Sequence, residues 1–221
     1  MRNVTLAALV LLTTFTACKF NDPEKPKLPI MGQRDAVTRV VNGKEVVDTV
    51  YKTIPAFKFV NQYGDSITNK SLDGYVYVAD FFFTTCPSIC PVMHRNMLKI
   101  YDTYKDVKDF KIISHTIDPK HDSVEVLKKY ADKLGISGNN WWLLQGKKEE
   151  TYTLGQKDYL VAVMQDNGAP GGYVHQGWFV LIDKDKRIRG YYDGTDEKQV
   201  EKLSGDIKIL LDEYNTAEKP E

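Results

Sequence analysis

Cys86 and Cys90 stand four positions apart in the segment Thr84-Thr85-Cys86-Pro87-Ser88-Ile89-Cys90-Pro91. Two thiols at that separation can close into a disulfide, exchange electrons with a partner's dithiol, or hold a soft metal ion as thiolates. The chain has only 3 cysteines, too few for a disulfide scaffold, and the odd count means that they do not share one task. Dithiol oxidoreductases usually separate their thiols by two residues, so that one attacks and the other resolves. Here three intervene. Such a pair suits Cu(I) or zinc, and an added imidazole also admits Cu(II). A structural disulfide is the plainer alternative for an exported chain.

The 4 histidines are the candidate imidazoles. His94 follows Cys90 by one helical turn and is expected to face solvent. His115 lies in a β-rich run, where a hydrogen-bonded core or edge position is expected. His121, between Asp118 and Asp122, reads as an exposed turn residue, and Asp118 itself as a turn former before Pro119. His175 follows Gly168-Ala169-Pro170-Gly171-Gly172-Tyr173-Val174, a segment able to carry a side chain over the cysteine loop. From the residues alone, ligand and structural roles for His175 are equally open. Met93 and Met97 fit core packing.

The elements that must position these groups alternate. Residues 75–83 form a nearly continuous apolar run, as in a parallel strand buried on both faces. Helical spacing follows over 91–104, a second strand over 110–117, and a helix over 122–134 ended by Gly135. A short strand at 141–144, a polar helix near 147–156, a closing hairpin from 175–183 and 187–192, and a last helix over 196–214 complete the pattern. A β-α-β unit followed by β-β-α, with the cysteines just after the first strand, predicts an α/β, thioredoxin-like fold: a central mixed β-sheet flanked by helices. Its loop at a strand's carboxyl end is where such sheets place ligands, which weighs against a merely structural disulfide. Ahead of it, Asn42-Gly43 between two β-rich runs predicts a hairpin extension over 37–50, with a weaker hairpin near 57–68.

Residues 1–17 combine a short basic start with an apolar run too brief to span a bilayer, a signal-peptide pattern, and Cys18 follows Ala17 as in a bacterial lipoprotein signal. The expectation is a lipidated Cys18, an extended Pro-rich tether over 18–36, the domain over 51–214 and a polar tail over 215–221. That places the chain in the bacterial cell envelope, lipid-anchored, with the domain facing the periplasm. The 221 residues carry 30 Lys+Arg against 30 Asp+Glu. That balance argues against a nucleic-acid partner, which needs a basic excess. A monomer is expected.

The segment Asp80-Phe81-Phe82-Phe83 running into the cysteine motif, then Thr116-Ile117-Asp118-Pro119-Lys120-His121-Asp122-Ser123, then His175 ahead of a strand, resembles the Sco (SenC) family over about residues 50–212. The resemblance implies a membrane-anchored, thioredoxin-fold copper protein that assists assembly of the CuA centre of cytochrome c oxidase. By position the copper ligands would be Cys86, Cys90 and His175, holding Cu(I) and Cu(II), with the cysteines cycling between dithiol and disulfide. The implied partner is the oxidase's copper-bearing subunit or another copper protein. Asp118 matches the family's Asp-Pro aspartate, a candidate for a place beside the ligands or in docking. Two departures stand out: Ser88 and Val174 replace acidic residues found in many members. Less negative charge should weaken Cu(II) more than Cu(I). The alternative is a thiol–disulfide oxidoreductase that keeps partner cysteines reduced, and it can dispense with His175.

Overall fold

The computed structural model describes residues 26–217, so the signal segment and Cys18 lie outside the described residues. Strands β1 (Arg34–Val41) and β2 (Lys44–Tyr51) pair only with each other, in antiparallel register. Asn42 and Gly43 both have positive φ, the backbone a two-residue hairpin turn requires. Val40 and Val47 are 70% and 69% exposed, so the hairpin buries almost nothing. Its base is fixed by Lys52 N–H donating to the Gln33 carbonyl (2.9 Å) and Met31 N–H to the Ile188 carbonyl (2.7 Å).

The domain follows as β3 (Lys58–Asn61), β4 (Ser66–Thr68), β5 (Val76–Phe82), α1 (Cys90–Tyr104), β6 (Phe110–Thr116), α2 (Val124–Leu134), β7 (Trp141–Gln145) and α3 (Lys148–Thr153). A π-helical turn, Leu154–Asp158, continues α3, and then come β8 (Val163–Gln165), β9 (Tyr173–His175), β10 (Trp178–Ile182), β11 (Ile188–Asp193) and α4 (Glu197–Ala217). Seven strands form one sheet in the order β11-β10-β5-β6-β7-β3-β4, with β5, β6 and β7 parallel and the rest antiparallel. This is the expected thioredoxin-like arrangement. No helix among the described residues is long and apolar enough to cross a membrane.

All seven residues of β5 are buried, because both faces of the sheet are covered. Strand alternation divides them. Asp80 and Phe82 face α1 and α2, where the Phe82 ring lies 5.0 Å from His94 and 5.9 Å from Tyr130. Tyr77 and Phe81 face the opposite layer, where both meet Tyr159. The parallel register sets Asp80 beside Ser114 and Phe81 beside His115. α4 lies along α1, with the Tyr104 hydroxyl donating to the Ser204 carbonyl (2.6 Å). Buried Arg189 pairs with Asp183 (3.2 Å) and Glu213 (2.8 Å), and also donates to the Leu28 and Pro29 carbonyls, pinning the N-terminal segment to the domain.

Three histidines sit differently from the sequence expectation. His94 is buried, because residue i+4 from the buried Cys90 shares its inward helix face, along with Met93 and Met97. His115 is buried without any hydrogen bond. Its ring stacks on Phe81 (5.2 Å) and meets the edges of Phe57 (5.9 Å) and Phe59 (5.5 Å), an aromatic enclosure with no acceptor or donor in reach. His175 also departs from the expected late hairpin. It closes β9, which pairs with β8 in a small separate ribbon.

Candidate metal centre

The cysteines occupy the turn that joins β5 to α1, at the carboxyl edge of the parallel strands. Cys90 is the first residue of α1 and Pro91 the next, a place where a missing N–H leaves no helical bond unmade. Cys86 lies in the preceding loop, its N–H donating to the Phe83 carbonyl (3.2 Å). The loop is held from below by Asp122. This fully buried carboxylate accepts from the Thr84 N–H (3.1 Å) and from the Thr84 and Thr116 hydroxyls. Asp122 thereby ties the exit of β5 to the exit of β6, two residues before the first thiol.

His175 arrives from the β8–β9 ribbon. Its Nε2 is 3.0 Å from Cys90 Sγ and 3.8 Å from Cys86 Sγ, and its Nδ1 is buried with no hydrogen-bond partner. The ring packs edge-on against Phe83 (5.9 Å), which also contacts Tyr173 (5.1 Å). Gly171, at φ +77°, lets the turn before β9 press on the cysteine loop. A Cβ there would stand 2.8 Å from the Phe83 ring and 3.1 Å from Pro87. Among the described residues, one group of Cys, His and acidic side chains could hold a metal ion: Cys86, Cys90 and His175, their ligand atoms within 4.8 Å of one another.

The two thiols are inequivalent. The Cys90 thiol beside it, with His175 and the backbone N–H groups of Ser88 and Cys90, holds the Cys86 pKa well below that of a free thiol. Cys90 is pushed up by its bond to Cys86, by deeper burial and by the Cys86 charge. The helix N-terminus alone would favour both thiolates. The two shifts run in opposite directions, so Cys86 is the more acidic thiol of the pair. Two soft sulfurs and one imidazole nitrogen, mostly withdrawn from water, fit a thiophilic ion such as copper or zinc.

Other sequence candidates lie nearby without joining this group. Ser88 Oγ is 3.6 Å from Cys86 Sγ, and Val174 points outward, 36% exposed. Asp118 is half-buried, its N–H donating to Thr116 Oγ1 (3.1 Å), and its carboxylate raises the Tyr173 pKa after burial. His121 is exposed. Asp80 and Asp122 fall in the segments that carry the family resemblance, which assigns them no role, and Tyr130 lies outside them; their contacts emerge from strand register and loop packing.

Comparison with known proteins follows the same residues. A family model described as SCO1/SenC matches residues 47–212. The SCO1 protein homolog of Bacillus subtilis (strain 168) is 31% identical over 168 residues, covering 75% of this chain and 86% of that protein. A crystal structure of a SCO1/SenC family lipoprotein from Bacillus anthracis str. Ames is 32% identical with a TM-score of 0.66, over 72% of this chain and 95% of that one. BsSco, described as a member of the Sco family of cytochrome c oxidase assembly proteins with a disulfide switch, is 30% identical with a TM-score of 0.64, over 73% and 94%.

Proposed function

Because this chain belongs to the SCO1/SenC family, we propose that it binds one copper ion through Cys86, Cys90 and His175 and delivers it to the CuA site of cytochrome c oxidase. The observation that carries the reading is the approach of His175 Nε2 to both sulfurs, from a ribbon whose turn is packed on the cysteine loop. A thiol pair that only exchanges electrons has no need of that imidazole. Copper is cargo here: soft sulfurs favour Cu(I), and the imidazole lets the site follow the ion to Cu(II). Partner ligands would replace these donors one at a time.

A second reading is thiol–disulfide exchange on partner cysteines. It is favoured by the unequal thiols, since Cys86 has the character of an attacking thiolate and Cys90 of a resolving thiol. Titration of the chain with Cu(I) and with Cu(II), wild type against His175→Ala, separates the two. The copper reading requires one ion per chain and a thiolate-to-Cu(II) charge-transfer band that the substitution removes or alters. Weak copper binding with brisk reduction of a partner disulfide, indifferent to the substitution, would overturn it.

Residues 1–17 are proposed as a cleaved lipoprotein signal, with Cys18 lipidated and the domain tethered in the envelope, facing the periplasm, as a monomer. The sequence pattern and the description of the Bacillus anthracis relative as a lipoprotein support the signal and the lipid anchor. Palmitate labelling that persists in Cys18→Ala would count against it.

A further inference from the structure

The N-terminal hairpin carries an open edge of a kind that the rest of the fold avoids. The main sheet ends on β4, three residues long, and on β11, whose register against β10 shifts at Leu181/Ile182. Short strands and bulges of that kind keep a sheet from adding strands. β1 has neither device, and no proline. Its ladder with β2 runs unbroken from Arg34↔Tyr51 to Val41↔Lys44, every one of its residues is exposed, and among the described residues it pairs with no other strand. A two-stranded sheet that buries so little is marginal by itself in water. β1 also lies wholly ahead of residues 47–212, so its use falls outside what the family model describes.

The register decides which groups this edge offers. Lys52 N–H donates to the Gln33 carbonyl, one step beyond the Arg34↔Tyr51 pair. Hydrogen-bonded and non-bonded pairs alternate along an antiparallel ladder. Asp35, Val37, Arg39 and Val41 therefore turn their N–H and C=O groups to β2, while Arg34, Ala36, Thr38 and Val40 turn theirs outward. An added antiparallel strand must meet those outward groups with outward groups of its own.

A second copy of β1 meets that condition. About a two-fold axis through Val37, Arg34 bonds Val40 of the second copy and Ala36 bonds Thr38, each pair repeated by symmetry. Every outward group is used. The same register sets Asp35 opposite Arg39 of the second copy, twice, and Val37 opposite its own counterpart. Arg39, which already bridges to Asp48, then lies between two carboxylates. Moving the axis to Ala36 or Thr38 sets Val37 opposite Asp35 or Arg39 and loses both ion pairs. An axis between two residues sets outward groups against inward ones.

We propose that two copies of this chain pair edge to edge through β1, making one antiparallel sheet in the order β2-β1-β1-β2 around Val37. The contact is isologous, as a two-fold interface must be. Stable interfaces in dilute solution bury far more surface than one short ladder, so the free chain remains the monomer proposed above. Copies tethered to one membrane surface meet at a much higher local concentration, and there the pair forms. The local concentration rests on the proposed tether; the register does not.

Disulfide trapping in the full chain, produced with its signal segment in a bacterium, tests the register. The introduced thiols of Val37→Cys would face each other with Cα atoms about 4.5 Å apart, within disulfide reach. Those of Val40→Cys would stand about 20 Å apart. After mild oxidation, with wild type setting the background from the native cysteines, Val37→Cys should run as a dimer on a non-reducing gel and Val40→Cys as a monomer. Equal trapping at the two positions, trapping at neither, or a Val37→Cys product of any other mass overturns the proposal.

Charge reversal tests the ion pairs. In the Val37→Cys background, Asp35→Arg or Arg39→Asp sets like charges opposite each other twice and should cut trapping about 10-fold. The two reversed chains, produced together with different tags, should recover trapping as mixed dimers, which also shows that both hairpins still form. Reversal without effect, or a mixture that traps no better than either chain alone, overturns the register. Cell fractionation reads the anchor separately: chain absent from the membranes removes the tether, and the same trapping pattern is then read on the purified full chain at high concentration.

Discussion

His175 Nε2 lies 3.0 Å from Cys90 Sγ, across 85 positions of sequence. Nothing in the local spacing of either residue demands that contact. It depends on a turn that presses the ribbon onto the cysteine loop, and on a carboxylate that holds the loop in place.

The turn can be tested at Gly171. Its φ of +77° costs an L side chain about 1–2 kcal/mol, and an added Cβ would also meet Phe83 and Pro87. Gly171→Ala should lower stability by at least that strain, seen in denaturant titration. It should also weaken copper binding by about 10–100-fold, as loss of outer support does at metal sites. Unchanged affinity would mean that the turn does not position the imidazole.

The carboxylate can be tested at Asp122. Asp122→Ala strands the Thr84 N–H and two hydroxyls, a loss of about 1–3 kcal/mol or more. Asp122→Asn keeps one acceptor oxygen and should recover part of the loss. Thermal unfolding and copper affinity should fall together in the alanine variant, since Thr84 carries the strand into the first thiol.

Acid stability should depend on His115. Burial pushes its pKa down to about 3 from 6.5. Its contribution is therefore complete above pH 6.5 and is lost as pH falls toward 3, where the unfolded chain binds a proton that the folded chain refuses. His94, pushed down to about 4, acts in the same direction. Asp80 opposes them: raised to about 7, it favours folding in acid and loses that contribution as pH rises through 7. His115→Phe should leave neutral-pH stability intact or higher and flatten the acid slope by about a few kcal/mol between pH ~6.5 and ~3. Denaturant midpoints across that range decide it, and an unchanged slope would sink the assignment.

Position 88 offers a test of the balance between copper oxidation states. Its Oγ is 3.6 Å from Cys86 Sγ, so Ser88→Asp adds negative charge beside the thiolates. Coulomb attraction in a partly buried site should strengthen Cu(II) binding by about 3–10-fold more than Cu(I). Equal changes in the two affinities would show that the position is electrostatically silent.

Sequence periodicity carries the frame of the molecule well. The unbroken apolar run of β5, the Asn42-Gly43 turn and the Gly135 helix stop are local signals, and the structure places each element within a few residues of its signal. The dithiol is equally visible, because two cysteines in a proline-lined loop have few other uses. Long-range pairing is where legibility ends. Asp80 and Ser114 meet only because of parallel register, and Asp122 meets Thr84 only across two loops. The β8–β9 ribbon has three-residue strands around a Gly/Pro turn, too short for any period to register. His94 was legible in principle, since the helix phase that buries Cys90 also buries the residue four later.

The donor set is divided between two pieces of structure with unequal resistance to local opening. Both sulfurs move with β5 and α1, at the centre of the sheet, whereas the imidazole moves with three strand residues zipped to three others. Small units of that kind open far below the free energy of global unfolding. Amide hydrogen exchange at Val174 and His175 should therefore outrun exchange in β5 by orders of magnitude. Release of bound cargo can then begin as a fluctuation of the ribbon, with the rest of the protein still folded and two donors still closed on the ion.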